Sequence, residues 1–321
     1  MFVTVMSDKK YSRNPDAPKQ NTNKLAYIML AFFSIGFIAL VLVAALSLLS
    51  APIMGDCIAV VEINGEITTQ SSPTSMFTQG SYGSYELSQK ISELNDDENV
   101  AGVLLVINSP GGSVVGSDEI YRAVDSLDKP KVAYFREIAA SGGYYISTPT
   151  DYIISEPNAL TGSIGTVMYL AEFEELADKL GIHDRVIKSG AMKDIGNPMR
   201  NMTEDEENLL HLVIDEAFAG FKSKITMNRG SKLNYALYTQ ALDGRVLSAT
   251  MAQKAGLVDE LGSRDDALMK TAELANLSFE DASDIHVCKI RTSPESPGLF
   301  DMHSLIGGLF ATDSVPSLKY R

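Results

Sequence analysis

The sequence predicts an α/β domain on a mainly parallel sheet, carried behind an apolar N-terminal segment. Three observations lead there. Cys57–Ile63 and Gly102–Asn108 are short, β-branched apolar runs without polar alternation, the pattern of strands buried on both faces. Segments of helical period follow such runs again and again, as right-handed crossovers between parallel strands require. A separate block, Leu25–Leu49, contains no charged residue.

In chain order, residues 1–24 are polar, include Pro15 and Pro18, and read as a disordered cytoplasmic tail. Residues 25–49 would form a helix of about 37 Å at ~1.5 Å per residue, enough for a ~30 Å hydrocarbon core. A secretory leader has a shorter apolar region of roughly 7–15 residues, although a cleavage-like site near Ala45 or Ala51 keeps that alternative open. Lys9, Lys10, Arg13, Lys19 and Lys24 precede the block, and the next basic residue is Lys90. This asymmetry predicts a single-pass anchor in the cell membrane, with the N-terminus cytoplasmic and everything after Ala51 outside.

The globular domain is expected over residues 50–278. Thr68–Gly83, rich in Ser, Thr and Gly, reads as a mobile loop, and Tyr85–Leu94 has helical spacing in Leu87, Ile91 and Leu94. Ile120, Val124 and Leu127 mark a second helix. Lys131–Phe135, Tyr152–Ser155 and Arg185–Lys188 are predicted strands. Thr203 and Glu206 form a capping box. It opens a long helix predicted to bury Leu210, Val213, Ile214, Ala217 and Phe221. Ser248–Ala255 and Asp265–Leu274 complete the helices. Residues 279–321 are expected to hold a C-terminal strand and a flexible or docking tail. In that tail a Pro-containing linker after Arg291 precedes the apolar Leu299, Leu305, Ile306, Leu309 and Phe310, which suit a neighbouring subunit or lipid.

The net charge of −14, from 27 basic and 41 acidic residues, repels phosphate and argues against a nucleic-acid partner. Cys57 and Cys288 both lie in apolar runs of the outward part, so a disulfide and two buried thiols are both open. The four histidines are scattered and no metal-binding spacing occurs, so neither metal nor cofactor is expected.

Chemistry concentrates in four places. Asn108–Ser113 follows a buried strand, and its Gly111-Gly112 pair leaves backbone N–H groups uncovered at a helix entry, suited to an oxyanion or a phosphate. Ala139–Tyr145 presents Ser141 among small residues, with the Gly142 N–H as a candidate second oxyanion donor. A serine nucleophile needs a base. His183 lies among charged residues, whereas Lys193 follows a predicted strand beside Ala191, Met192 and Ile195. A lysine is a base only when desolvated. Lys193 could equally be a surface cation paired with Asp194, and Lys188 is its local rival. Ser126 and Lys129 also have Ser-x-x-Lys spacing, but at a helix end where a cation serves as a cap. Thr161–Gly165 supplies Ser163, which could hold a lysine amine in register or be a turn residue.

These four motifs, in this order behind one apolar N-terminal segment, resemble the signal peptide peptidase A (protease IV) family in its short, single-domain form. The likeness runs from about Cys57 to Leu274. It implies a serine endopeptidase with a Ser-Lys dyad, Ser141 as nucleophile and Lys193 as general base. It implies Ser163 as the hydroxyl orienting the lysine and Gly112, with Gly142, as oxyanion donors. It further implies a fold like the crotonase and Clp protease group, built from repeated ββα units. The implied assembly is a membrane-bound homo-oligomer, and the implied substrates are remnant signal peptides and other hydrophobic peptides. The rival readings are a quality-control peptidase for membrane proteins, an acyl-CoA enzyme on the same fold and a non-catalytic membrane scaffold.

Overall fold

The computed structural model describes residues 56–73 and 80–294, the helical pieces 27–30, 33–38 and 40–41, and the pair 319–320. The chain divides into two compact units, Met1–Ile53 and Met54–Arg321. In the first, among the described residues, no helix is long and apolar enough to cross a membrane. The other positions of the predicted 25–49 span, and the predicted tail 1–24, lie outside the described residues.

The second unit is built on a sheet. Its strands are β1 (Cys57–Asn64), β2 (Val100–Ser109), β4 (Lys131–Ala140), β5 (Tyr152–Ser155), β6 (Leu160–Gly162), β7 (Val246–Ser248), β8 (Glu260–Leu261) and β9 (Val287–Ile290). The order is β7-β6-β4-β2-β1-β9, with β5 and β8 branching from β4. Every pairing is parallel except β6 with β7. The long β4 forks: Val132–Phe135 pair with β5, and Ile138–Ala140 pair with β6. The short β3 (Gly112–Ser113) stands off this sheet.

Strand alternation divides the core in two. Ala59, Val61, Ile63, Val103, Leu105 and Ile107 point to one face. They pack with α1 (Ser84–Ser92), α2 (Val114–Asp125), α3 (Gly142–Tyr145) and the C-terminal half of α5 (Glu204–Arg229). Ile58, Val60, Leu104 and Val106 point to the other, against Ala267, Leu268 and Ala272 of α8 (Arg264–Leu274). Both faces are covered, which is why the strands read as unbroken apolar runs. Helices α4 (Glu174–Leu180), α6 (Tyr235–Ala241) and α7 (Ala249–Ala255) complete the unit. Cys57 and Cys288 are bonded, which settles the alternative left open by the sequence and ties edge strand β9 to β1.

Two expectations fail for one reason. Arg185–Lys188 is not a strand, because no segment among the described residues offers a ladder and residues 181–192 are exposed throughout. Of the five residues expected to be buried on α5, only Phe221 is; Val213 is exposed, and Leu210, Ile214 and Ala217 are half-buried. The core receives α5 through Phe221 and Ile225, while its first half faces a groove shared with Met168, Leu170 and Met202.

Candidate active site

Two strand-to-helix turns meet at the centre of the unit. In the first, β2 ends at Ser109, whose Oγ accepts from the Gly111 N–H at 3.1 Å, and Ser113 caps α2 by accepting from the Gly116 N–H. Gly112 is required by a close approach: a Cβ there would lie 2.1 Å from the Ile67 carbonyl oxygen. Ile67 donates to Gly111 O and accepts from Ser113 N, both at 2.8 Å, so one edge of β3 is occupied.

In the second turn, β4 ends at Ala140 and Ser141 precedes α3. Ser141 has φ 53° and ψ −118°, a conformation that L-residues rarely adopt. Its N–H donates to Gly162 O at 2.8 Å, its carbonyl accepts from Tyr145 N, and Oγ is fully buried with no hydrogen-bond partner among the described residues. Glycines allow the two turns to touch. A Cβ on Gly142 would lie 2.4 Å from Ser117 Oγ and 3.3 Å from Gly112 N, and one on Gly143 would lie 2.6 Å from Ser109 O. A buried hydroxyl, unpaired among the described residues, thus sits on a strained turn whose next residue, Gly142, borders Gly112 N, an arrangement fit for attack on a carbonyl and support of the oxyanion.

The third motif joins them through the main chain. Thr161 Oγ1 donates to Ala139 O at 2.6 Å, and Gly162 accepts from Ser141 N. Ser163 follows at φ 49°, nearly buried, its N–H bonded to Arg245 O. Ser141, Ser163, Gly112 and Gly142 are therefore brought together.

Lys193 is not brought to them within one chain. It lies in the turn Ala191–Asp194, is exposed, and makes no ion pair or side-chain hydrogen bond among the described residues. Nor does it pair with Asp194, the expected alternative. That carboxylate is taken by Lys188 at 2.5 Å and Arg200 at 2.9 Å, and Arg200 also binds Glu206 of the capping box at 2.5 Å. Arg200, then Lys188, holds Asp194 well below the usual carboxylate range. Arg200 and the Thr203 N–H bring Glu206 down to about 2. Lys188 is thereby engaged as a cation. His183 is exposed, 4.0 Å from Asp178. Lys129 binds the carbonyls of Asp97 and Val100, and Lys131 caps α2 through Leu127 O. Sequence reasoning missed Ser117, whose buried hydroxyl also lacks a partner among the described residues. It carries no motif, and its relevance comes only from contact with Gly142.

The site and sheet together define an α/β protein with a hydrolase-like serine turn. The profile of peptidase family S49 matches residues 123–278. A Methanocaldococcus jannaschii protein named as a candidate protease is 40% identical over 219 residues, 68% of this chain and 68% of its own length. A candidate signal peptide peptidase of Enterococcus faecium is 33% identical over 65% of this chain and 60% of its own. Protease 4 of Salmonella typhi is 33% identical over 70% of this chain and 35% of its own. A solved membrane-bound stomatin-specific protease aligns over 74% of this chain and 99% of its own with a TM-score of 0.46 and 14% identity. The chain belongs to peptidase family S49.

Proposed function

We propose that this chain is a membrane-anchored serine endopeptidase of the Clp-protease-like ββα type. Ser141 attacks, Lys193 is the general base, and hydrophobic peptides, remnant signal peptides among them, are the substrates. The observation that carries this reading is the buried Ser141 Oγ, without a partner among the described residues, on a turn at φ 53° whose next residue, Gly142, borders Gly112 N. Neutral Lys193 takes the hydroxyl proton as Oγ bonds to the peptide carbonyl carbon. The N–H groups of Gly112 and Gly142 receive the oxyanion. Lys193 passes the proton to the leaving amine, and water activated by the same amine releases the acyl group. Ser163 orients the amine. The charge-free Leu25–Leu49 supports an anchor with the domain on the outer side.

A lysine base must be desolvated, and Lys193 is exposed in the isolated chain. The segment bearing it also exposes Phe173, Leu176, Ile182 and Ile187, and α5 exposes Leu209 and Leu212. An apolar surface of this extent calls for cover. A second copy of the chain is the proposed cover, and the homo-oligomer completes the dyad.

The test uses the full-length chain with a fluorogenic hydrophobic peptide. Ser141→Ala and Lys193→Ala should each lose activity by at least about a thousandfold while remaining folded and assembled, and Lys188→Ala should stay active. An active Lys193→Ala would move the base elsewhere, and an inert wild type would favour a scaffold.

A further inference from the structure

Cys57, His286 and Cys288 meet where β9 lies along β1. The two strands are parallel, with Ile58 beside Val287 and Ala59 beside Cys288. One step back, Cys57 stands beside His286, whose carbonyl accepts from the Ile58 N–H at 2.9 Å. Residues two apart on a strand share a face, so His286 and Cys288 point the same way, toward Cys57. One sulfur from each cysteine and one ring nitrogen of His286 all lie within 4.8 Å of one another. Cys57 is buried, Cys288 half-buried and His286 exposed, so the group opens to solvent on one side. The imidazole makes no hydrogen bond or ion pair among the described residues. The cysteines are 231 residues apart, which is why the sequence shows no metal-binding spacing.

We propose that in the dithiol form of the chain these three residues hold one zinc ion, which replaces the disulfide as the link between β1 and β9. Translation supplies thiols, so every chain passes through that form before its sulfurs are oxidised. Two thiolates and an imidazole are a zinc set, too soft for calcium or magnesium. Binding releases the two thiol protons to solvent, and water fills the fourth tetrahedral position. Zinc–sulfur bonds of about 2.3 Å put the two sulfurs about 3.7 Å apart. The two Cα atoms, 5.8 Å apart, leave room for that spacing. Disulfide and zinc site exclude each other, because sulfurs bonded to one another offer no thiolate. Thiolates bound to the metal are in turn withheld from oxidation. The ion thus keeps edge strand β9 fastened while the covalent link is absent.

The experiment uses the full-length chain reduced with a phosphine, which takes oxygen from water as the disulfide becomes two thiols. Co²⁺ is then titrated in as a coloured stand-in for Zn²⁺. The chain contains only these two cysteines, so thiolate-to-cobalt absorption reports this site alone. None of the readings needs turnover, so their outcome is independent of Ser141 and Lys193. The reduced wild type should bind one Co²⁺ with a tetrahedral spectrum and release it to Zn²⁺, and the oxidised chain should show no such absorption. His286→Ala, a change at an exposed position, should bind at least about tenfold more weakly. No thiolate absorption in the reduced wild type, or equal affinity in His286→Ala, would overturn the site. Hydrogen exchange tests the link. Zn²⁺ should slow exchange along β9 several-fold in the reduced wild type and leave it unchanged in Cys288→Ser. Unslowed exchange in a wild-type chain that binds the metal would overturn the ion's role as the fastening of β9.

Discussion

Ser141 is held at a backbone conformation that costs a side-chain-bearing residue about 1–3 kcal/mol, and the same turn leaves its hydroxyl buried and, among the described residues, unpaired. Stability and function therefore pull apart at this position. Ser141→Gly should abolish peptidase activity yet melt at a higher temperature than Ser141→Ala, by the equivalent of about 1 kcal/mol. An equal or lower melting temperature would mean that the turn is not strained. The neighbouring glycine works in the opposite sense. A methyl group at Gly142 would press on Ser117 Oγ at 2.4 Å and stand 3.3 Å from Gly112 N, in the space an oxyanion needs. Gly142→Ala should lower kcat by about a hundredfold or more, with less effect on KM. A variant with normal kcat would show that the Gly112–Gly142 junction does not face the reacting carbonyl.

At the scale of elements, α5 joins a buried half to a half that the described residues of its own chain leave uncovered. If a second copy covers the first half and Lys193 with it, Leu212→Glu should dissociate the assembly and remove activity together. Sedimentation and a peptide assay on the same sample would reveal any uncoupling. A mixture of inactive Ser141→Ala and Lys193→Ala chains, assembled together, should recover roughly a quarter of the wild-type rate if the dyad forms between copies. No recovery would place both groups of each dyad on one chain. These elements also separate what is legible in the sequence from what is not. β1, β2, β4 and β5 are legible because an unbroken apolar run must be covered on both faces. The two glycine turns are legible because paired glycines after a strand mark close backbone approach. Arg185–Lys188 and the first half of α5 are misread, because periodicity tells which residues seek burial but not which surface supplies it. Ser117 is invisible, since one serine carries no pattern.

At the scale of the whole molecule, two devices close the domain. The first is ionic. Arg229, 1% exposed, binds Asp259 at 2.7 Å, and Asp259 also accepts from Lys232 and the Ile153 N–H. Burial pushes the Asp259 carboxyl up, but Arg229, Lys232 and that N–H outweigh it and hold it below its ordinary value. An acid whose folded pKa lies below its unfolded one stabilises fully above the unfolded value, near 4, and loses that contribution as pH falls through the folded one. Glu206, brought down to about 2, acts in the same direction. Unfolding midpoints in denaturant should therefore be flat from pH 7 to about 5 and fall below about 4. Asp259→Asn, which strands a buried guanidinium, should cost about 3–5 kcal/mol at neutral pH. The second device is covalent. Cys57 and Cys288 are 231 residues apart, so their bond closes nearly the whole domain into a loop and fixes β9 on the edge of β1. Such a cross-link acts mainly on the unfolded chain, and its removal typically costs about 2–5 kcal/mol. The Cys57→Ser, Cys288→Ser double variant should lose about that much stability and become indifferent to reductant. Its loss of amide protection should be greatest along β9, which among the described residues pairs only with β1, and least along β2 and β4 in the middle of the sheet. Uniform loss across the sheet would mean that the bond stabilises the domain as one cooperative unit, without a privileged effect on its edge.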